Sequence, residues 1–179
     1  MKKLNLNERT KFIAYTALFT ALVTAVTVLL PLRLPNTHGY INIGDAFIFV
    51  AAYFLGPIPA LIAGGIGSCA ADLILGYAVW APFTLVIKGL EGFLAGVLIK
   101  LLKKSLSEKL LLLFGAVSMV LAGLVMVMGY FFASWILYGI ATASLEVLMN
   151  LIQMSVSAGI AIAVVSAAVA AKIVKKNKK

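Results

Sequence analysis

Apolar residues run along this chain in long blocks, each closed by a turn signal or a cluster of lysines. About 20 consecutive apolar residues cross a bilayer as a helix, at roughly 1.5 Å of rise each. On that rule six blocks qualify, predicting spans at roughly 11–31, 44–56, 60–76, 82–101, 109–137 and 146–172. The expected fold is all-α: a six-transmembrane-helix bundle forming a single transmembrane domain over 1–179. Pro31 ends the first run, and Gly56-Pro57-Ile58-Pro59 makes a tight break between the second and third. The second run is short, because two spans share residues 44–76.

The polar residues that interrupt these runs carry the chemistry. Lys88 and Glu91 sit inside the fourth run, PFTLVIKGLEGFLAG (82–96), about 10 and 14 Å below its start. A charge at the centre of a membrane helix costs about 2.5–3.5 kcal/mol on insertion scales. Spaced three apart on one helix face, the two can offset part of each other's cost. They read either as a structural ion pair or as one wall of a binding site. Glycines 89, 92 and 96 beside them allow close approach of a backbone or a ligand. In the sixth run Glu146, Asn150, Gln153 and Ser157 recur at helical spacing, a polar stripe that should face protein or a cavity. Asp72 lies near the end of the third run, followed by Tyr77 and Trp80, which suit either an interfacial belt or stacking on a flat ring. The aromatic cluster Tyr130, Phe131, Phe132 and Trp135 reads as belt and packing.

Loop 32–43, LRLPNTHGYINI, is long for a hairpin between membrane helices and holds Arg33, His38, Tyr40 and Asn42. Pro35, Asn36 and Gly39 supply turn chemistry, and the loop is a candidate lid. His38 alone reads as a solvated loop histidine, and Asp45 as the N-terminal cap of the second helix. The first run aligns Ala14, Ala17, Ala21 and Ala25 on one flat face, fit to meet either a neighbouring span or another protein.

Composition narrows the function classes. The chain is 63% hydrophobic with mean hydropathy +1.10, well above a soluble domain. Its net charge of +9 comes from lysines near the N-terminus, at 100–109 and in the C-terminal tail. Six spans put all three groups on one side, which the positive-inside rule makes cytoplasmic, beside anionic lipid. Nucleic acid is not expected as a partner, since no folded basic surface with base-contacting groups is in view. The first apolar run is too long for a signal peptide and lacks a cleavage site. The single cysteine, Cys69, excludes an internal disulfide and a cysteine metal site and should lie in the core. Gly64-Gly65-Ile66-Gly67-Ser68 lacks the lysine of a phosphate loop. With one histidine and no hydrolytic or metal motif, an enzyme is not expected. Strongly polar groups crowd the outer half of the spans, a pattern suited to a blind cup rather than a channel.

With these residues in view, the chain resembles the substrate-binding S components of energy-coupling factor (ECF) vitamin transporters. GYINIGDAFIFVAAYFLGP (39–57) followed by AGGIGSCAADLILGYAVWAPFTLVIKGLEGFLAG (63–96) is similar to the riboflavin, hydroxymethylpyrimidine and pyridoxine branch. The resemblance implies a bacterial multi-pass cell-membrane protein with both termini cytoplasmic. It implies a vitamin pocket near the outer face, closed by loop 32–43, whose ligand positions Lys88, Glu91 and Asn150 fit, with Trp80 on the intervening loop; Gln153, by its amide, and Tyr40, by its flat ring, complete the substrate-binding candidates. It assigns the face Ala14, Ala17, Ala21 and Ala25 to docking on a transmembrane T component, with two cytoplasmic ATPases completing an ABC-type importer. No cofactor belongs to this chain; ATP and Mg are used by the partners. If Lys88 and Glu91 neutralise each other, the expected ligand is a compact, largely uncharged aromatic ring such as hydroxymethylpyrimidine or pyridoxine, with riboflavin the rival. An ion-coupled secondary transporter of small aromatic metabolites is the alternative class. No role follows for Asp72, His38 or Glu146.

Overall fold

The computed structural model describes residues 6–33 and 38–177, with side chains described to 171. Lys2, Lys3, Pro35, Asn36, Lys178 and Lys179 lie outside the described residues, as do the side chains of Lys172, Lys175 and Lys176. Six helices appear: α1 (Leu6–Leu29), α2 (Asp45–Leu55), α3 (Pro57–Leu75), α4 (Ala81–Leu102), α5 (Glu108–Tyr138) and α6 (Ile140–Asn177). Two short strands, β1 (Leu32–Arg33) and β2 (Tyr40–Ile41), pair antiparallel in the loop after α1, with Leu32 opposite Ile41 and Arg33 opposite Tyr40.

Four helices, α1, α3, α5 and α6, are apolar and long enough to cross a membrane. At about 16 Å, α2 is too short to do so alone. The expected loop at 138–145 is instead the start of α6. Gly139 alone ends α5, with φ of 90°, a backbone that favours glycine. The expected break at 56–59 likewise contracts to Gly56, because Pro57 is accepted at the first position of a helix.

The helices form an arc in the order α1, α3, α4, α5, α6, and α2 lies inside it, touching α1, α3, α4 and α6. Its residues Ala46 and Ile48 to Tyr53 are buried. Phe49 of α2, Ala95 and Ile99 of α4, Met119 of α5 and Ala161 of α6 share one apolar core. Small residues set the closest approach. A Cβ on Gly92 would lie 2.3 Å from the Ala60 carbonyl oxygen, and one on Gly64 2.4 Å from that of Lys88. This contact between α3 and α4 holds α4 in place and so positions Lys88. Cys69, expected in the core, is only half-buried.

On α1 the threonines turn inward and the alanines outward. Thr16 and Thr27 are buried, whereas Ala14, Ala17, Ala21 and Ala25 are exposed. Thr24 donates to the Gly67 carbonyl at 2.9 Å, fastening α1 to α3. Of the two readings of the alanine face, packing on a neighbouring span of this chain is therefore not what the fold uses it for.

Gly92→Ala should destabilise the protein by roughly 1–3 kcal/mol through overpacking against backbone that cannot move aside cheaply. Gly159→Ala, where an added Cβ meets nothing within 4 Å, should cost nothing measurable. Thermal melting of both variants in detergent checks this, and equal melting temperatures would contradict the packing described.

Candidate ligand-binding site

The site begins with one ammonium group. Lys88 on α4 is 2% exposed, and its Nζ lies 2.5 Å from Asp45 Oδ1 and 3.1 Å from Glu91 Oε2. Two carboxylates therefore share one lysine, and the expected self-neutralising Lys88–Glu91 pair is only half of the cluster. The reading of Asp45 as a helix cap is corrected. No side-chain cap bond is made at the start of α2, because the carboxylate is committed to Lys88 and, through Oδ2, to Gln153 Nε2 at 2.7 Å. Asn42 serves that end of the helix instead, its Oδ1 accepting from the Gly44 N–H at 2.7 Å and from Thr27 Oγ1 at 3.2 Å. The signal was available in the length of α2. A helix too short to start at the membrane surface has to place its first residue inside.

Above this floor is a cleft that opens to the outside of the bundle. Its wall includes Tyr40, Asn42, Asp72, Trp80, Thr84, Lys88, Tyr130, Glu146, Asn150 and Gln153. Five of the six residues singled out for substrate binding, Lys88, Asn150, Trp80, Tyr40 and Gln153, line it, while Glu91 stands behind Lys88 with no exposure. The polar stripe of α6 turns into the same space through Glu146, Asn150 and Gln153. Trp80 is not a belt residue. It is 6% exposed, and its Nε1 donates to the His38 carbonyl at 3.0 Å. Tyr130, read as belt and packing, is also part of the wall. It donates to Thr84 at 3.0 Å, and its ring centroid lies 5.6 Å from Lys88 Nζ. Trp135, about half exposed, keeps the belt character expected of it.

Residues 39–42 of the hairpin line the cleft, and residues 38, 40 and 42 are each fastened to the helices around it. The His38 ring stacks on Tyr138 at 4.1 Å, and the His38 backbone N–H donates to Glu146 Oε1 at 3.3 Å. Tyr40 donates to Asp72 Oδ1 at 2.6 Å and leans on Tyr77 at 4.8 Å. The Asn42 N–H donates to Gln153 Oε1 at 3.0 Å. The picture of His38 as a merely solvated residue is thus corrected, although its ring remains exposed. Burial, and then the Asp72 carboxylate, push the Tyr40 phenol above its ordinary value, so it remains the donor in that bond.

Residues 7–179 match the family model described as the ECF-type riboflavin transporter, S component. The chain belongs to that family. This S component is 30% identical to the thiamine precursor transporter HmpT of Lactococcus lactis over 155 residues, 86% of this chain and 85% of the relative. It is 40% identical to an uncharacterised protein of Pyrococcus woesei over 131 residues, 73% of this chain and 83% of that one. Its fold is similar to the crystal structure of the S component for biotin from an ECF-type ABC transporter, with a TM-score of 0.62 at 16% identity over 92% of this chain and 95% of that one. The protein is therefore a multi-pass membrane transport subunit, not an enzyme.

Lys88→Met should lower stability by about 3–5 kcal/mol, because it strands Asp45 and Glu91 in a buried site. Adding Asp45→Asn should recover part of that loss. Thermal melting of the single and double variants measures the coupling; strictly additive effects would show that the ammonium does not hold the carboxylates together.

Proposed function

We propose that this S component binds hydroxymethylpyrimidine, a thiamine precursor, or a pyridoxine-like B6 vitamin, and delivers it to an ATP-driven importer. The observation that carries this reading is the cleft itself. Aromatic walls at Trp80, Tyr130 and Tyr40 meet amides at Asn150 and Gln153 over the buried Asp45–Lys88–Glu91 floor. Such amides offer both donors and acceptors to ring nitrogens and hydroxyls, and the aromatic faces suit a flat ring. The resemblance to a thiamine precursor transporter supports the same ligand class. Riboflavin is the second reading, favoured by the description of the family model.

In this proposal the chain crosses the membrane six times with both termini cytoplasmic. The short α2 fits such a path. The hairpin segment descends to the depth of Lys88, about 10 Å below the start of α4, and α2 adds about 16 Å, together close to one bilayer core. The hairpin opens outward and acts as the lid. The outward face of Ala14, Ala17, Ala21 and Ala25 docks on a transmembrane T component, which links the subunit to two cytoplasmic ATPases that use ATP and Mg. No cofactor is assigned to this chain. The whole chain acts as one transmembrane domain.

Mass spectrometry of small molecules released from the purified protein should identify a hydroxymethylpyrimidine or B6 compound. A yellow preparation releasing riboflavin would select the second reading. Ala21→Trp should abolish co-purification with the T component and ATPases while leaving ligand affinity of the isolated subunit unaltered, since bulk on a close-packed helix face prevents approach. Wild-type yields of the complex would remove the face from the interface. In vesicles holding this chain alone, a proton gradient should drive no accumulation; accumulation would instead support the ion-coupled alternative.

A further inference from the structure

Asp72 is the buried group in the cleft whose bonding is incomplete. It lies near the end of α3, is 3% exposed and forms part of the wall. Its Oδ1 is taken by the Tyr40 phenol, whereas Oδ2 has no hydrogen-bond partner among the described residues. Thr84 accepts from Tyr130 and turns its own hydroxyl toward the same carboxylate without closing a hydrogen bond to Oδ2. A buried acceptor left unsatisfied costs about 1–3 kcal/mol, and more when charged. Oδ2 itself is sealed from the cleft in this conformation, so a donor on an entering ring reaches it when the Asp72 side chain turns within the wall. The surrounding charge points the same way. Asp72 and Glu146 line the wall and Asp45 and Glu91 lie behind it, against the Lys88 ammonium already shared by two of them. Arg33 lies over the Tyr77 ring and is not part of the cavity wall.

We infer that Asp72 is the specificity-determining residue of this cleft, selecting an amino-substituted aromatic ring through an N–H donor to Oδ2, and that it ties this recognition to closure of the hairpin through Oδ1 and Tyr40. The inference rests on the hydroxymethylpyrimidine reading above and narrows it. The exocyclic amine of that ring supplies the N–H, and an adjacent ring nitrogen can take up a proton in an acidic surrounding. Pyridoxine has no amine to offer. An oxo group in place of the amine would set acceptor against acceptor.

The test is calorimetry on the full-length detergent-purified protein with two probes, hydroxymethylpyrimidine and its analogue with oxygen in place of the exocyclic amine. The wild type should prefer the amine by at least about 30-fold. Asp72→Asn, which can turn an N–H toward the oxo group, should bring that preference below about threefold. Tyr40→Phe should speed dissociation of the amine at least about tenfold while keeping the preference. A wild-type preference below threefold overturns the inference even if the Asn variant does not fold, and so does an unchanged preference in a folded Asn variant. An unchanged dissociation rate in Tyr40→Phe overturns the link to the hairpin. Binding of neither pyrimidine overturns the proposed ligand itself, and this inference with it.

Discussion

The structure depends on one lysine ammonium shared by two carboxylates. Lys88, Asp45 and Glu91 are all essentially without exposure, so each is tolerable only because the others are present. The three residues come from α2 and α4, and Gln153 of α6 joins them through Asp45. That junction ties together three helices, α2, α4 and α6. An ion pair of this kind is a poor source of net stability, since apolar residues of equal volume would often do as well. Its worth lies in geometry. It places the start of α2 at a depth that hydrophobic packing alone would not choose.

The depth of Asp45 explains why the hairpin can serve as a cover. The chain leaves α1 at Leu29, forms the hairpin, and then has to reach Asp45 inside the bundle. Residues 38 to 44 make that descent in extended or irregular form, with backbone groups that need partners away from water. The partners are the residues that line the cleft: Glu146, Trp80 and Gln153 bond to backbone groups of His38 and Asn42. The wall of the cavity and the anchorage of its cover are therefore the same side chains.

The helical skeleton was legible in the chain because long apolar runs mark its helices, and the six runs overlap the six helices of the described residues with ends that differ by up to six residues. Its errors have local causes. Residues 140–145 carry enough polar character to look like a loop, yet Gly139 makes the whole turn in one residue. The floor of the site was half legible. Lys88 and Glu91 stand out because they interrupt an apolar run, but Asp45 sits where a carboxylate has an ordinary task, and only the shortness of α2 argues against it. Trp80, Tyr130 and Asp72 were ambiguous for a different reason. At the end of a membrane helix the interfacial belt and the wall of a cleft recruit the same residue types, and the choice between them depends on which way the helix is rotated. For α3 and α4 that rotation goes with the close contacts of glycines 64, 65 and 92, and for α5 with Gly129 against Ile87, contacts that lie between helices and leave no trace in the pattern of a single one.

The two faces of α1 follow from this arrangement. Its inward threonines satisfy themselves on the preceding turn, as Thr16 and Thr20 do, and so add small, saturated contacts rather than polar demands. Two of them also reach out of the helix, Thr24 to Gly67 of α3 and Thr27 to Asn42 at the foot of the hairpin. The outward alanines offer no group that requires a partner, which suits a helix face turned to apolar surroundings. Ala25 lies only two residues from Thr27, so the exposed face and the hairpin anchor share one turn of helix. A displacement of that turn, whatever its source, acts on Asn42 directly, and through Asn42 on Gln153 and the Asp45–Lys88 floor.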